Sequence, residues 1–317
     1  MRSINCALVI GVTGQDGSLM AKSLLNRTDR VVGTSRSIQP SLKNLNKLNI
    51  ADQIEICSLD TTEVLHIQKV IKKINPNEIY HLSGQSSVGR SFIDPIDTYK
   101  SIVLETLSLL EACRTLGFDG KIFFAGSGDM FGATKGAACI KTPKLPISPY
   151  GISKKNSFDL VKYYRNVMSM KCVTGVLFNH ESPLRSENFV TQKIIQGALN
   201  ASKNKNFKLN MGNISISRDW GWAEEYIQAM QLMTQAEYCE DHVICTGESN
   251  TIEIFIEKTF NYLGLDWKKH IKIDKSLFRS SDISISRGDP KPMENKLGWK
   301  SEINLEAIII RLLKNEI

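Results

Sequence analysis

No stretch of this 317-residue sequence runs apolar for the roughly 18 residues that a membrane-crossing helix needs. Cysteine comes without pattern. The seven (Cys6, Cys57, Cys113, Cys139, Cys172, Cys239 and Cys245) form no C-x-x-C pair and their number is odd. That argues against a zinc site or a disulfide framework and for small, reduced core side chains. No aromatic-basic stripe accompanies the net charge of +7. The basic balance therefore reads as a solvated surface rather than a nucleic-acid face, and a modest positive field also suits an anionic nucleotide substrate. Internal repeats and low-complexity segments are missing. The opening residues lack a signal peptide's cleavage region and lead directly into an apolar strand pattern, so a cytoplasmic protein is expected.

What is present is ordinary in amount and ordered in arrangement. Hydrophobic residues make up 42% and charged residues 23% of the chain, as in a globular protein of one large or two closely joined domains. Over the first 180 or so residues, short apolar runs alternate with amphipathic stretches, which predicts a parallel sheet wrapped by helices. Strands are expected at Ala7–Ile10, Arg30–Ser35, Ile54–Ser58, Glu78–Leu82, Lys121–Ala125 and Cys172–Phe178. Helices are expected near Ser18–Asn26, Thr62–Ile74, Tyr99–Thr115 and Tyr150–Met168. Beyond residue 180 the rhythm breaks into loops, short helices and small strands, with one more sheet strand at Val243–Thr246. The polar segment 132–149 is the longest connection near Ser127 and Tyr150, and long loops in compact domains are often binding loops or lids.

Three groups of residues carry chemistry. The first is Gly11-Val12-Thr13-Gly14-Gln15-Asp16-Gly17, a G-x-x-G-x-x-G run after one strand and before one helix. Glycines there permit a tight turn and let a pyrophosphate approach the helix N-terminus, so a dinucleotide is expected; the competing reading is a merely tight turn. The second strand ends Gly33-Thr34-Ser35-Arg36-Ser37, without the acid that binds a ribose 2′-hydroxyl in NAD folds. Arg36 with its neighbouring hydroxyls suits a 2′-phosphate and favours NADP, the alternative being an exposed strand-end side chain. Leu59 and Asp60, after the third strand, are placed at the adenine edge.

The second group is Tyr150 and Lys154, four apart and therefore on one helix face. A lysine ammonium beside a phenol is expected to lower the tyrosine pKa from its usual value of about 10, making a base for a sugar hydroxyl. The third is Ser127, at the carboxyl end of the fifth strand, where ligands bind in open α/β sheets. Its hydroxyl can donate to the oxygen that Tyr150 deprotonates.

The serine, tyrosine and lysine set resembles that of the short-chain dehydrogenase/reductases, in their extended, nucleotide-sugar branch. Several blocks resemble the GDP-mannose 4,6-dehydratase family. They are the glycine run through Ser18, Gln85-Ser86-Ser87-Val88, Leu177-Phe178-Asn179-His180-Glu181-Ser182-Pro183, Glu187 to Lys193, Arg218-Asp219-Trp220-Gly221, Gly288-Asp289-Pro290 and Leu297-Gly298-Trp299-Lys300. The resemblance implies an α/β fold, a Rossmann-like doubly wound parallel sheet with a smaller mixed α/β C-terminal part. Residues 1–178 would bind NADP and residues 179–317 mainly the nucleotide sugar.

By the same resemblance, Gln85, Ser86, Asn179, Val190, Lys193, Arg218 and Arg279 would line the GDP-sugar site. The two arginines would hold the diphosphate through their planar forks. Asp282 would lie near the guanosine, and Arg36, His180 and Arg185 would serve the cofactor. Taken singly, Asn179 also reads as a strand-end turn residue and Arg218-Asp219 as an internal salt bridge. The resemblance further implies a homodimer or homotetramer, the helices near Tyr99–Thr115 and Tyr150–Met168 pairing across a dimer.

One departure stands out. Where the dehydratases carry threonine, a polar residue and glutamate after the fifth strand, this chain carries Ser127, Gly128 and Asp129. The hydroxyl and the carboxylate are kept, but the carboxylate is one methylene shorter, and near 1 Å of misplacement can cost about a hundredfold in rate. The expected reaction is 4,6-dehydration of GDP-mannose, with Tyr150 as base at C4 and Asp129 at C5. The alternatives are a 4-keto-reductase or epimerase on a similar GDP-sugar, and a cofactor-sensing protein without catalysis.

Overall fold

In the computed structural model, residues 5–278 and 281–316 are described. The first half builds β1 (Cys6–Ile10), α1 (Gln15–Leu24), β2 (Arg30–Ser35), α2 (Lys43–Lys47), β3 (Glu55–Ser58), α3 (Val64–Ile74) and β4 (Glu78–His81). After it come α4 (Val88–Ile93), α5 (Pro95–Tyr99), α6 (Glu105–Leu116), β5 (Lys121–Ser127), α7 (Pro149–Asn166) and β6 (Cys172–Leu177). The second half adds β7 (Asn179–Glu181), α8 (Val190–Lys203), β8 (Leu209–Met211), β9 (Ser217–Arg218), β10 (Trp220–Trp222), α9 (Ala223–Gln235) and β11 (His242–Ile244). Then follow β12 (Asn250–Thr251), α10 (Ile252–Tyr262), β13 (Ile271–Ile273), β14 (Ile285–Ser286), α11 (Lys291–Leu297) and α12 (Leu305–Lys314).

Seven strands form one parallel sheet in the order β11-β6-β5-β4-β1-β2-β3. This is the doubly wound arrangement, whose order reverses beside β1 and places ligands at the carboxyl ends of the strands. β1 is buried on both faces, as a central parallel strand must be. Its Ala7 and Val9 meet Leu19 and Met20 of α1 and Tyr226 and Met230 of α9 in one layer. Leu8 and Ile10 point the other way, to Ile67, Leu109 and Val161 of α3, α6 and α7. A separate core joins α8, α10 and α12 around Ile194, Phe255, Ile256 and Ile308, with Trp220 and Trp222 of β10.

The second half returns to the sheet through one strand and through packed side chains. β11 falls within two residues of the expected strand and pairs with β6. α9 packs on α1, and Met293 and Trp299 enter the core layer of the first half. The helix expected near Tyr99–Thr115 begins four residues earlier. Asp94 caps α5 by accepting from the Asp97 N–H (3.1 Å), and Pro95 follows at the first helical position. A π turn over Lys100–Leu104 then joins α5 to α6.

Two long-range ties fix the connections around the strand ends. In the segment between β5 and α7, Ala138 bridges to Gly288, its N–H donating to the Arg287 carbonyl (2.8 Å) while the Asp289 N–H donates back (2.9 Å). Asp219, fully buried between β9 and β10, accepts from the Thr246 N–H (2.9 Å) and hydroxyl (2.7 Å) and from the Gly247 (3.0 Å) and Gly288 (3.3 Å) N–H groups. One carboxylate therefore knots three distant segments together. This is a different role from the salt bridge that its neighbour Arg218 suggested. The Arg218 guanidinium donates to the Ser217 (2.8 Å) and Ile283 (2.7 Å) carbonyls.

Candidate active site

The turn between β1 and α1 is made by exclusion. Gly11 sits at φ +89°, and a Cβ on Gly17 would lie 2.1 Å from the Gly11 carbonyl oxygen, so α1 crosses the turn closer than any side chain permits. Gly33 of β2 is held similarly, because a Cβ there would strike Val12 at 2.5 Å. Gly14 is the N-cap of α1 and supplies no side-chain cap. The free N–H groups of the helix start thus lie beside a cradle that side chains would fill, which fits a pyrophosphate.

Behind the turn, Asp16 takes the His180 Nε2 with both oxygens at 3.0 Å. Burial pushes its carboxyl up, but the charge and hydrogen bond of His180, with Gln15 and Arg185, hold it down at about 2. Burial pulls the His180 imidazole down, yet Asp16 raises it overall. The ring is stacked on Tyr226 (4.7 Å) and Nδ1 meets the Phe178 carbonyl (2.7 Å). Gln15 donates to Asp16 (2.9 Å) and accepts from Ser182 (2.9 Å), and Arg185 donates to the His180 carbonyl. Gln15, Asp16, His180 and Arg185, read separately from the sequence, form one network that ties the glycine turn to β7. The Thr13 carbonyl accepts from Asn44 (3.1 Å), Leu59 is buried, and Asp60 binds the Thr62 hydroxyl (2.7 Å). Arg36 is exposed at the end of β2, with a guanidinium nitrogen 4.0 Å from Glu105.

At the next strand end, Ser127 and Asp129 share a short 3₁₀ turn. The Ser127 hydroxyl donates to the Asp129 carboxylate (3.2 Å), and the Asp129 N–H donates to the same hydroxyl (3.3 Å). α7 starts against this turn. Ser148 caps it by accepting from the Gly151 N–H (3.0 Å), with Pro149 at the first helical position. A Cβ on Gly151 would lie 2.7 Å from the Asp129 carbonyl. Glycine at 151 thus brings the Tyr150 turn of the helix onto the Asp129 backbone, a requirement the sequence reading did not detect. Gly128 likewise has a neighbour that explains it: the Phe178 ring lies 3.0 Å from where its Cβ would be.

Tyr150 and Lys154 lie on the buried face of α7. The Lys154 ammonium donates to the Ala125 carbonyl (2.8 Å) and sits 5.8 Å from the centre of the Tyr150 ring. The expected fall in the phenol pKa is not what these surroundings produce. Burial and the Asp129 charge raise it above its usual range, and the hydrogen bond from Ser127 pulls back only in part. Lys154 is itself desolvated, down to about 8, with Asp16 and Glu105 opposing that fall. A buried ammonium drawn to a carbonyl does not outweigh the burial of the phenol.

The residues read as substrate-binding are distributed as follows. Asn179 opens β7 and pairs in register with Trp220 of β10, two residues from Arg218. Val190 starts α8 and Lys193 is exposed one turn along it. Gln85 donates to the Ser87 carbonyl (2.9 Å) and Thr98 hydroxyl (3.0 Å), and Ser86 is exposed. Asp282 precedes Ile283, whose carbonyl binds Arg218, while Arg279 lies outside the described residues.

This geometry can be set beside known proteins. The family model described as GDP-mannose 4,6 dehydratase matches residues 8–312. GDP-mannose 4,6 dehydratase 1 of Arabidopsis thaliana is 36% identical over 98% of this chain and 89% of its own length. Among solved structures, the dTDP-glucose 4,6-dehydratase DesIV of Streptomyces venezuelae, with NAD and TYD bound, superposes with a TM-score of 0.88 at 18% identity, covering 98% of this chain and 96% of that one. RMD from Pseudomonas aeruginosa, complexed with NADPH, superposes with a TM-score of 0.80 at 21% identity and 98% coverage of both chains. These two share the fold. With a matching model over nearly all its length and a relative above 30% identity, the chain belongs to the GDP-mannose 4,6-dehydratase family.

Proposed function

We propose that this protein converts GDP-mannose to GDP-4-keto-6-deoxymannose, using a nicotinamide dinucleotide that it retains through the cycle, with NADP preferred to NAD. Convergence carries the reading. Ser127, Asp129, Tyr150 and Lys154 meet where β5 ends and α7 begins, at the same sheet edge as the glycine turn. When bound, the dinucleotide supplies reversible hydride acceptance, from C4 and back to C6, and the positive charge of its oxidised ring.

The side chains do the rest. Tyr150 takes the C4 hydroxyl proton, Ser127 donates to the same oxygen, and the Lys154 ammonium stabilises the phenolate. Asp129 takes the C5 proton and delivers it to the C6 hydroxyl, which leaves as water. The turn at 127–129 holds these two groups in a fixed relation, and Gly151 keeps Tyr150 close to them. Arg218 reaches for the diphosphate, Asn179, Val190, Lys193, Gln85 and Ser86 line the sugar nucleotide, and Asp282 serves the guanosine end. Gly11, Thr13, Gly14 and Gly17 receive the pyrophosphate, Leu59 and Asp60 the adenine, and Arg36 the 2′-phosphate. The exposed apolar residues Tyr99, Leu104, Ile152 and Tyr163, on the α5–α6 rod and α7, support pairing of two copies through these helices.

The test is incubation of the purified protein with GDP-mannose and no added reductant. Formation of the 4-keto-6-deoxy product without net NADPH use supports the dehydratase. If no product forms and NADPH is instead consumed stoichiometrically with a 4-keto sugar, the protein is a 4-keto-reductase.

A further inference from the structure

The end of β2 lacks an acid, yet an acid lies beneath it. Glu105 opens α6 directly after the π turn, with its side chain 2% exposed. One carboxylate oxygen accepts from the Ser83 hydroxyl at 3.0 Å; the other faces a guanidinium nitrogen of Arg36 at 4.0 Å. Ser83 is in turn 3.2 Å from the Nδ1 of His81. Burial, with Lys154 nearby, holds that imidazole neutral, down at about 3. A serine hydroxyl has one proton. Given to Glu105, it leaves the oxygen to accept an Nδ1–H from His81, so a neutral chain fixes the carboxylate from below. Burial raises the Glu105 carboxyl; Thr61, Ser83 and, less strongly, Arg36 act against that rise, while Asp60 adds to it. Glu105 thus faces Arg36 and feels the charge of Asp60, the two residues assigned to the adenosine half of the cofactor.

We infer that Glu105 sets how strongly this protein discriminates NADP from NAD, acting through Arg36. The inference rests on Arg36 receiving the 2′-phosphate. A 2′-phosphate brings about two negative charges to a guanidinium that already faces a carboxylate, whereas a 2′-hydroxyl brings none. Glu105 therefore weakens NADP selectively. Arg36 is 66% exposed, so solvent and salt screen the effect and make it a modest factor rather than a switch.

Dissociation constants for NADP+ and NAD+, measured calorimetrically on the full chain, test this. Glu105→Gln keeps the shape and the bond from Ser83 and removes the charge. It should bind NADP+ about fivefold more tightly and leave NAD+ within about twofold. High salt should shrink the gain, and adding Arg36→Ala should abolish it. Equal shifts for both dinucleotides would mark a structural role and overturn the inference, as would unchanged or weakened NADP+ binding. Should Glu105→Gln fail to fold, Glu105→Met removes the same charge and should give the same selectivity. Arg36→Ala alone should weaken NADP+ and spare NAD+. If it does not, the assignment of Arg36 fails first; if it does and Glu105→Gln changes nothing, only the role of Glu105 fails.

Discussion

The glycine turn after β1 and the knot around Asp219 both hold backbone in place, and they do so by opposite means. The turn works by omission over seven residues: remove a Cβ at 17 and the helix can cross the Gly11 carbonyl. The knot works by one charge gathering N–H groups from segments 27 to 69 residues away. The first is local and steric, and it has no tolerance for added atoms. The second is long-range and electrostatic, and it does not tolerate loss of its acceptor oxygens.

The comparison can be broken most severely at the chemistry both regions serve. Tyr150→Phe should cost about a thousandfold in product formation, while dinucleotide binding measured by calorimetry stays within about twofold of wild type. Gly17→Ala should come next, destabilising the fold by about 2 kcal/mol through overpacking and abolishing dinucleotide binding, read by urea unfolding and titration. Asp219→Asn places an amide where four donors converge. It should cost about 2 kcal/mol in urea unfolding with dinucleotide affinity nearly kept. If it lost the dinucleotide as completely as Gly17→Ala, the two regions would not be separate devices.

A smaller test uses pH. The Asp16 carboxyl is depressed in the folded protein, from 3.8 to about 2, so its share of stability is present above the unfolded value and is lost as pH falls toward 2. His180 is raised, so its share is present below its ordinary value of 6.5 and is lost as pH rises through the folded one. Thermal melts of Asp16→Asn should therefore differ most from wild type between about pH 4 and 6.5, with a gap near 2 kcal/mol that closes toward about pH 2. Smallest of all, Asp129→Glu should leave turnover unchanged or raise it a few-fold, about what one methylene of reach restores. A large loss would show that the shorter carboxylate is matched to its setting.

Legibility in the sequence followed the same division. The glycine turn, the whole of β2 and the shared face of Tyr150 and Lys154 depend on neighbours within a few residues, and the sequence pattern located them. The Asp16–His180 pair was readable only as two separate residues, because a separation of 164 positions carries no sign of contact. The need for glycine at 151 comes from the Asp129 carbonyl, 22 residues away in sequence, and so left no local signal. Glu105 carried no sequence signal of its own, and only the meeting of β2, β4 and α6 places it near Arg36. The fall expected for the Tyr150 phenol failed for a similar reason: spacing shows which groups are adjacent, not how much water each has lost.

The ring of Phe178 against Gly128 has a consequence for mutation. A side chain at position 128 would press on the Phe178 ring, which must give by a few tenths of an ångström to admit it. Substitutions at positions 128 and 178 are therefore expected to be coupled in their effect on stability rather than additive.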